Sequence, residues 1–379
     1  MAAAEVAEWL IGPGRLSGDA TVVASGLAER LRTLGIPLHR LRMAMRVDNP
    51  LLSAWGISWT PETGASVYTV SQALLDTSAY AGSPVQYVIE TRQTFRQRLD
   101  RLEASSHTIL RELAGDGYTD YFVVPVSFGN GVVQTAMFAT RDEGAFQGCH
   151  IALVEDLAPA ISAALEPIAM RRSTASLLAT FLGDGPAARV QAGAVRRGDV
   201  IETESAILLA DLRGFTGMSL VLSPQELLAT LGAYFEVVVN AVRDEGGDVL
   251  KFLGDGVLSV FPVAAGERSR RDVCAAAVRA AERAAARTRD LPPFVMALHV
   301  GPVMYGNIGS ASRLDFTVVG PTVNMVSRLE TIAKVAAQSV VCSAEFAQNL
   351  SPEAVSTLGC FELKDLGPRE VFAVHVTHR

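Results

Sequence analysis

Apolar and polar positions along this chain change period several times, and each change marks an element. Near the start, Val22, Leu27, Leu31 and Leu34 recur at helical spacing, and Gly35 ends the run. Residues 121–128 (YFVVPVSF) and 132–140 (VVQTAMFAT) read as strands around Gly129-Asn130-Gly131, a β-hairpin whose turn residues tolerate positive φ. Residues 146–165 then read as helix. Pro167 suits a first helical turn, Ile168, Ala175, Leu178 and Leu182 fall roughly on one face, and Gly183 can close that helix. The segment 193–200 leads into a last region with a different rhythm.

That region reads as strand, helix, hairpin, helix, strand. The run AILLADL (206–212) is a buried strand. Residues 224–243 form an amphipathic helix carrying Leu227, Leu228, Leu231, Phe235 and Val238. DVLKFL and VLSVFP make a hairpin about Gly254-Asp255-Gly256, residues 271–289 an alanine-rich helix, and FVMALHVG the next strand. The βαββαβ order predicts a ferredoxin-like (palm) antiparallel sheet with helices on one face. The fold class is therefore α+β. Three parts are expected: residues 1–165, a helical linker at 166–200, and residues 201–379.

Composition narrows the classes. An apolar fraction of 49% in 379 residues is ample for sizeable cores, and a net charge of −7 makes a nucleic-acid surface unexpected. The four cysteines, Cys149, Cys274, Cys342 and Cys360, are scattered without a C-x-x-C pair, which points to reduced thiols rather than a zinc or disulfide framework. The N-terminus lacks a basic, apolar leader, and no run reaches the roughly 18 apolar residues of a membrane helix. A cytoplasmic protein with no membrane partner is expected.

Two aspartates carry the candidate chemistry. Asp211 ends the apolar strand in LLADLRGFTGMS, beside the start of a helix whose Gly214, Phe215 and Thr216 N–H groups can cradle phosphate oxygens. Asp255 sits at a hairpin tip between two glycines. In a palm sheet these positions are neighbours, so the two carboxylates can converge on Mg²⁺, which takes hard oxygen ligands. Asp248, in the nearby GGD, reads only as a turn into a strand; a diguanylate cyclase would need G-G-[DE]-E-F there.

LADLRGFT, KFLGDGVLSVF, HVGPVMYGNIG and DFTVVGPTVNMVSRLE resemble, in order and spacing, the consecutive motifs of class III nucleotidyl cyclases. The resemblance covers about residues 203–375. It implies conversion of ATP to 3′,5′-cyclic AMP and pyrophosphate, with two Mg²⁺ or Mn²⁺ per site held by Asp211 and Asp255. It also implies that Asn324 orients the ribose and Arg328 stabilises charge at the α-phosphate. Lys251 and Thr317 fall where the family selects the base. A lysine is a pure donor and suits adenine N1 rather than the N1–H of guanine; glutamate stands at that position in guanylyl cyclases. Threonine at 317, in place of aspartate, marks a subclass that often responds to bicarbonate. Lys364 is the nearest match to a further triphosphate-contacting residue and is left without a role. Each family site lies between two chains, so one complete residue set implies a homodimer. The alternatives are a cyclase using GTP and a non-catalytic cyclase-like regulatory module.

Residues 20–165 resemble a GAF-type sensor domain through the strand pair and closing helix alone. The resemblance implies an unidentified small-molecule ligand; a ligand-free dimerisation domain is the alternative. His39, His107 and His150 occur singly and read as ordinary residues.

Overall fold

The computed structural model describes residues 2–46, 52–263, 267–287 and 291–376. Its chain divides into two compact units, residues 1–177 and 178–379.

The first unit contains α1 (Ala2–Trp9), α2 (Ala20–Thr33), β1 (Arg40–Arg46), β2 (Leu52–Thr60), β3 (Gly64–Ser71), α3 (Pro84–Thr91), β4 (Phe95–Arg98), α4 (Thr108–Gly115), β5 (Asp120–Ser127), β6 (Val133–Thr140) and most of α5 (Gly148–Leu182). Its six strands form an antiparallel sheet in the order β3-β2-β1-β6-β5-β4. Because side chains alternate across a strand, the two faces build separate cores. Leu41, Met43 and Met45 of β1 join Leu27, Leu31, Leu157, Ile161 and Leu165 of α2 and α5. On the other face Val88, Leu110 and Leu113 of α3 and α4 pack on Tyr121, Val123 and Met137.

The expected hairpin is present as β5 and β6, with Gly131 at φ +81° in its turn. Helix α2 also forms, with Leu27 and Leu31 buried as expected, but Val22 and Leu34 are exposed and Val23 and Ala24 complete the buried face. Pro167 does not open a new helix. It lies inside α5, as does Pro159, and the helix runs without a break to Leu182. A proline removes one backbone donor, but buried Val154, Leu157, Ile161, Leu165 and Ile168 anchor the helix on both sides of these prolines. Gly183, at φ +88°, ends it, and a further short helix α6 (Asp184–Gln191) follows.

In the second unit come β7 (Val200–Leu212), α7 (Phe215–Val221), α8 (Pro224–Asp244), β8 (Asp248–Leu253), β9 (Gly256–Pro262), α9 (Arg270–Ala286), β10 (Phe294–Gly309), β11 (Leu314–Val319), α10 (Pro321–Val335), β12 (Val340–Ser343), α11 (Ala344–Ala347), β13 (Val355–Leu363) and β14 (Gly367–Val374). The sheet order is β13-β14-β12-β10-β7-β9-β8, with β11 paired to β10. The βαββαβ core is thus the antiparallel stretch β10-β7-β9-β8. Capping boxes at Ser223/Glu226 and Ser269/Asp272 start α8 and α9. The predicted end of the alanine-rich helix at Arg289 lies outside the described residues.

Helices cover both faces of this sheet, not one. Ala206, Leu208 and Ala210 of β7 meet Tyr234 and Val238 of α8 and the alanines of α9. Ile207 and Leu209 meet Met325, Val326 and Leu329 of α10. The expected motif ended before β11, α10 and the strands after it, so the second layer was missing from the one-faced reading.

Candidate active site

Strand β7 pairs Ala210 with Val257 of β9, so Asp211 emerges beside the Gly254–Gly256 turn. Gly254 adopts φ +69°, and a Cβ on Gly256 would lie 3.4 Å from Asp211 Oδ1. The turn therefore brings Asp255 against Asp211. Burial raises the Asp255 carboxyl above its ordinary value, and the charge of Asp211 and a hydrogen bond with it add to the rise. Asp211 is raised too, by burial first, with the Lys334 ammonium opposing. Tyr234, fully buried beneath the pair, has a hydroxyl without a partner among the described residues. Burial and then the charges of Asp211 and Asp255 push that phenol up.

Lys334 is the cation of this cluster. Its ammonium pairs with Asp211 and, at 2.6 Å, with Glu330 one turn earlier on α10. Burial works against the Lys334 charge, but the two carboxylates outweigh it and raise the lysine. Arg213 fixes the register. Its guanidinium donates to the carbonyls of Ala333 (3.2 Å) and Gln338 (2.9 Å), which ties the end of α10 to the end of β7. Sequence spacing held no signal for Lys334, because it meets Asp211 only through the fold.

Gly214, at φ +71°, precedes α7, and the first-turn N–H groups of Phe215 and Thr216 have no partner within the helix. Phe215 is half-buried against the core and Thr216 is exposed.

Lys251 stands elsewhere. Between Val249 and Lys251 the ladder with β9 shifts by one residue, so Lys251 opposes Leu258 and not the position next to it. Leu258 belongs to the α10-side core. The bulge thus turns Lys251 to that side, where its ammonium donates to Asp315 of β11 at 2.7 Å. Thr317 is buried two residues along β11, on the same strand face as Asp315. Asp315 lay in the quoted DFTVVG stretch, yet only its pairing with Lys251 makes it notable.

Asn324 and Arg328 lie one turn apart on α10, Asn324 exposed and Arg328 3.7 Å from Asp365. No hydrogen bond or ion pair among the described residues joins Lys251, Thr317, Asn324 or Arg328 to the Asp211–Asp255 pair. Lys364 is exposed next to Asp365. Asp248 is more than a turn residue. Its carboxylate accepts from the Gly185 N–H (3.0 Å) and the Tyr305 hydroxyl (3.3 Å), capping α6, and burial raises its pKa.

The carboxylate pair fits a divalent cation. It offers hard oxygen ligands side by side, and an ammonium already lies on one of them. Among the described residues no group of three or more His, Cys, Asp or Glu side chains is placed to hold a metal ion, so a cation here would need ligands from outside the chain.

Comparison with known proteins bears on this unit. Adenylate cyclase 1 of Rhizobium meliloti (strain 1021) is 34% identical over 149 residues, 37% of this chain and 22% of that protein. An adenylate cyclase of Anabaena cylindrica is 29% identical over 163 residues, 40% of this chain and 32% of that protein. The chain therefore spans about a fifth and about a third of the length of these relatives. Among solved structures, the adenylyl cyclase CyaB from P. aeruginosa aligns with a TM-score of 0.40 at 22% identity, covering 48% of this chain and 97% of that one. No helix among the described residues is long and apolar enough to cross a membrane. Residues 201–376, which carry both β7 with Asp211 and the turn with Asp255, match the family described as the adenylate and guanylate cyclase catalytic domain.

Proposed function

We propose that the second unit converts ATP to 3′,5′-cyclic AMP and pyrophosphate in a homodimer. The observation that carries this reading is the juxtaposition of Asp211 and Asp255 at the end of β7. These carboxylates would hold Mg²⁺ or Mn²⁺, two ions per site. Bound there with the triphosphate, such ions make the ribose 3′-hydroxyl more acidic and neutralise charge on the phosphates. In the reaction the 3′-oxygen attacks the α-phosphorus and loses its proton. The bond to the bridging oxygen breaks, and pyrophosphate leaves.

The chain's own groups bind and orient. The N–H groups of Phe215 and Thr216, after the turn at Gly214, receive phosphate oxygens. Lys251 keeps donors free beyond its bond to Asp315 and gives one to adenine N1. The N6 amino group finds an acceptor in Thr317 or in the carboxylate of Asp315. Asn324 holds the ribose, and Arg328 offers its planar fork to the α-phosphate as charge develops. Lys334 must leave Asp211 when a metal arrives.

Two features support assembly from two chains. Among the described residues, the base-reading and charge-stabilising side chains make no bond to the acid pair. Leu220, Val221 and Leu228 on α7 and α8, and Phe252 and Leu253 on the edge strand β8, are large apolar side chains left exposed, which suits a partner.

The test mixes two variants. Asp211→Ala and Arg328→Ala are each expected to be nearly inactive with ATP and Mg²⁺ or Mn²⁺. Subunit exchange between them should restore activity, because one site of the heterodimer is then unmutated. Proven exchange without recovered cyclic AMP rejects the shared site. Cyclic GMP as the main product, with ATP and GTP assayed side by side, rejects the adenine assignment.

A further inference from the structure

The first unit holds a cavity of about 290 Å³ between the open face of its sheet and helices α3 and α4. Strand β1 is central in that sheet. Leu41, Met43 and Met45 point into the core, so Arg40, Arg42, Ala44 and Arg46 line the opposite face, and all four border the cavity. Three cations on one face, Arg40 and Arg42 about 6.6 Å apart and Arg46 about 13 Å further along, are unusual on an interior strand.

No carboxylate among the described residues forms an ion pair with Arg40, Arg42 or Arg46; Glu112, the acid that borders the cavity, is exposed. The Arg42 guanidinium lies 4.1 Å above the Tyr68 ring, and its Nε is buried without an acceptor among the described residues. The Tyr68 side chain hydrogen-bonds this guanidinium, yet a half-buried cation that keeps an unsatisfied N–H is costly. The rest of the lining is mostly apolar, with Tyr121, Leu113, Met137 and Val133, and includes the polar side chains of His107 and Thr135. Gln134, the buried amide there, already accepts the Arg46 N–H at 2.7 Å. The enclosure is of ligand size, mostly apolar, and has a few convergent charges of one sign.

We propose that this cavity binds a small organic anion. The anionic head, a carboxylate or phosphate, is held by the guanidinium groups of Arg42 and Arg40, whose planar forks match either. A flat apolar body lies against Tyr121 and Met137. The inference stands apart from the activity proposed for the second unit.

The experiment uses the full chain and four probes: benzoate, phenyl phosphate, benzyl alcohol and inorganic phosphate. Binding is followed by calorimetry and by the shift in Tm. Benzoate or phenyl phosphate should bind with a Kd at or below the millimolar range, and the two arms separate a carboxylate from a phosphate head. Benzyl alcohol and inorganic phosphate should each bind at least tenfold more weakly, since each offers half of the recognition. Arg42→Met should weaken the aromatic anion tenfold or more while leaving the ligand-free Tm equal or higher, because the half-buried charge that is removed has no ion-pair partner among the described residues. Ala44→Leu, which fills the cavity without touching a charge, should also abolish binding and serves if Arg42→Met does not fold. The proposal is overturned if neither aromatic anion binds, if binding survives both variants, or if benzyl alcohol or phosphate alone binds as tightly. A ligand-free Tm that drops sharply in folded Arg42→Met would make Arg42 a structural residue and reject its role as a ligand anchor.

Discussion

The two units place charge on their sheets in opposite ways. In the second, two carboxylates meet at the end of β7, and the chain brings its own cation, Lys334, to one of them. In the first, three arginines face an interior cavity with no acid paired to them among the described residues. One site is partly neutralised from within, and under the proposed function that cation must move before a metal is held. The other is left charged, which suits it to a counter-ion from outside. Charge balance within a fold thus separates a site with an internal placeholder from one without.

The largest effect expected from disturbing this contrast is on turnover. Asp211→Asn should lower cyclic AMP formation by about a hundredfold or more, the scale of losing one charge-stabilising group. The Tm should hold or rise, because burial and repulsion between Asp211 and Asp255 are relieved. A large loss of Tm would mean that the pair serves the fold.

A second effect concerns acid stability of the same unit. His299 is buried on β10 with Nδ1 2.7 Å from Ser343 Oγ, and burial lowers its pKa to about 4. The folded ring therefore stays neutral where the unfolded ring, with a pKa near 6.5, takes a proton. Stability is present above about pH 6.5 and is lost as pH falls towards 4, by about 3 kcal/mol for this group. Subtracting the denaturation profile of His299→Gln from that of the wild type should isolate this slope. Parallel profiles would reject it.

The smallest effect sharpens the placeholder. Lys334→Met removes the cation that a metal must displace, so half-saturation by Mg²⁺ should move several-fold lower. An unchanged or higher metal requirement would show that Lys334 helps to hold substrate or fold instead.

Much of the second unit was legible in the sequence. An apolar strand ending in Asp211, a hairpin at Asp255, and Asn324 with Arg328 one turn apart are local patterns, and local patterns set local structure. What the sequence hid depends on pairing between distant segments. Lys334 reaches Asp211 because α10 packs on β7, with Arg213 tying the ends of the two together. Asp248 looked like a turn residue because its partners, Gly185 and Tyr305, come from other elements. The arginine row of β1 was open to inspection: in RLRMAMR the three cations fall on one side of a period-two pattern, with Ala44 among them. The face it serves appears only once α3 and α4 enclose it.

The shifted pairing at Val249–Lys251 has a consequence for how this hairpin can change. In a two-sided strand, the side on which a residue acts is set by counting from a fixed pairing. One supernumerary residue at Leu250 resets that count, so Lys251 faces Asp315 and Phe252 stacks 4.3 Å from Phe235 of α8. Deleting one residue there would keep the lysine and its neighbours yet send each to the opposite layer. Recognition at this edge is therefore written in the number of residues as much as in their kind, and a change in length would alter it more abruptly than most changes in chemistry.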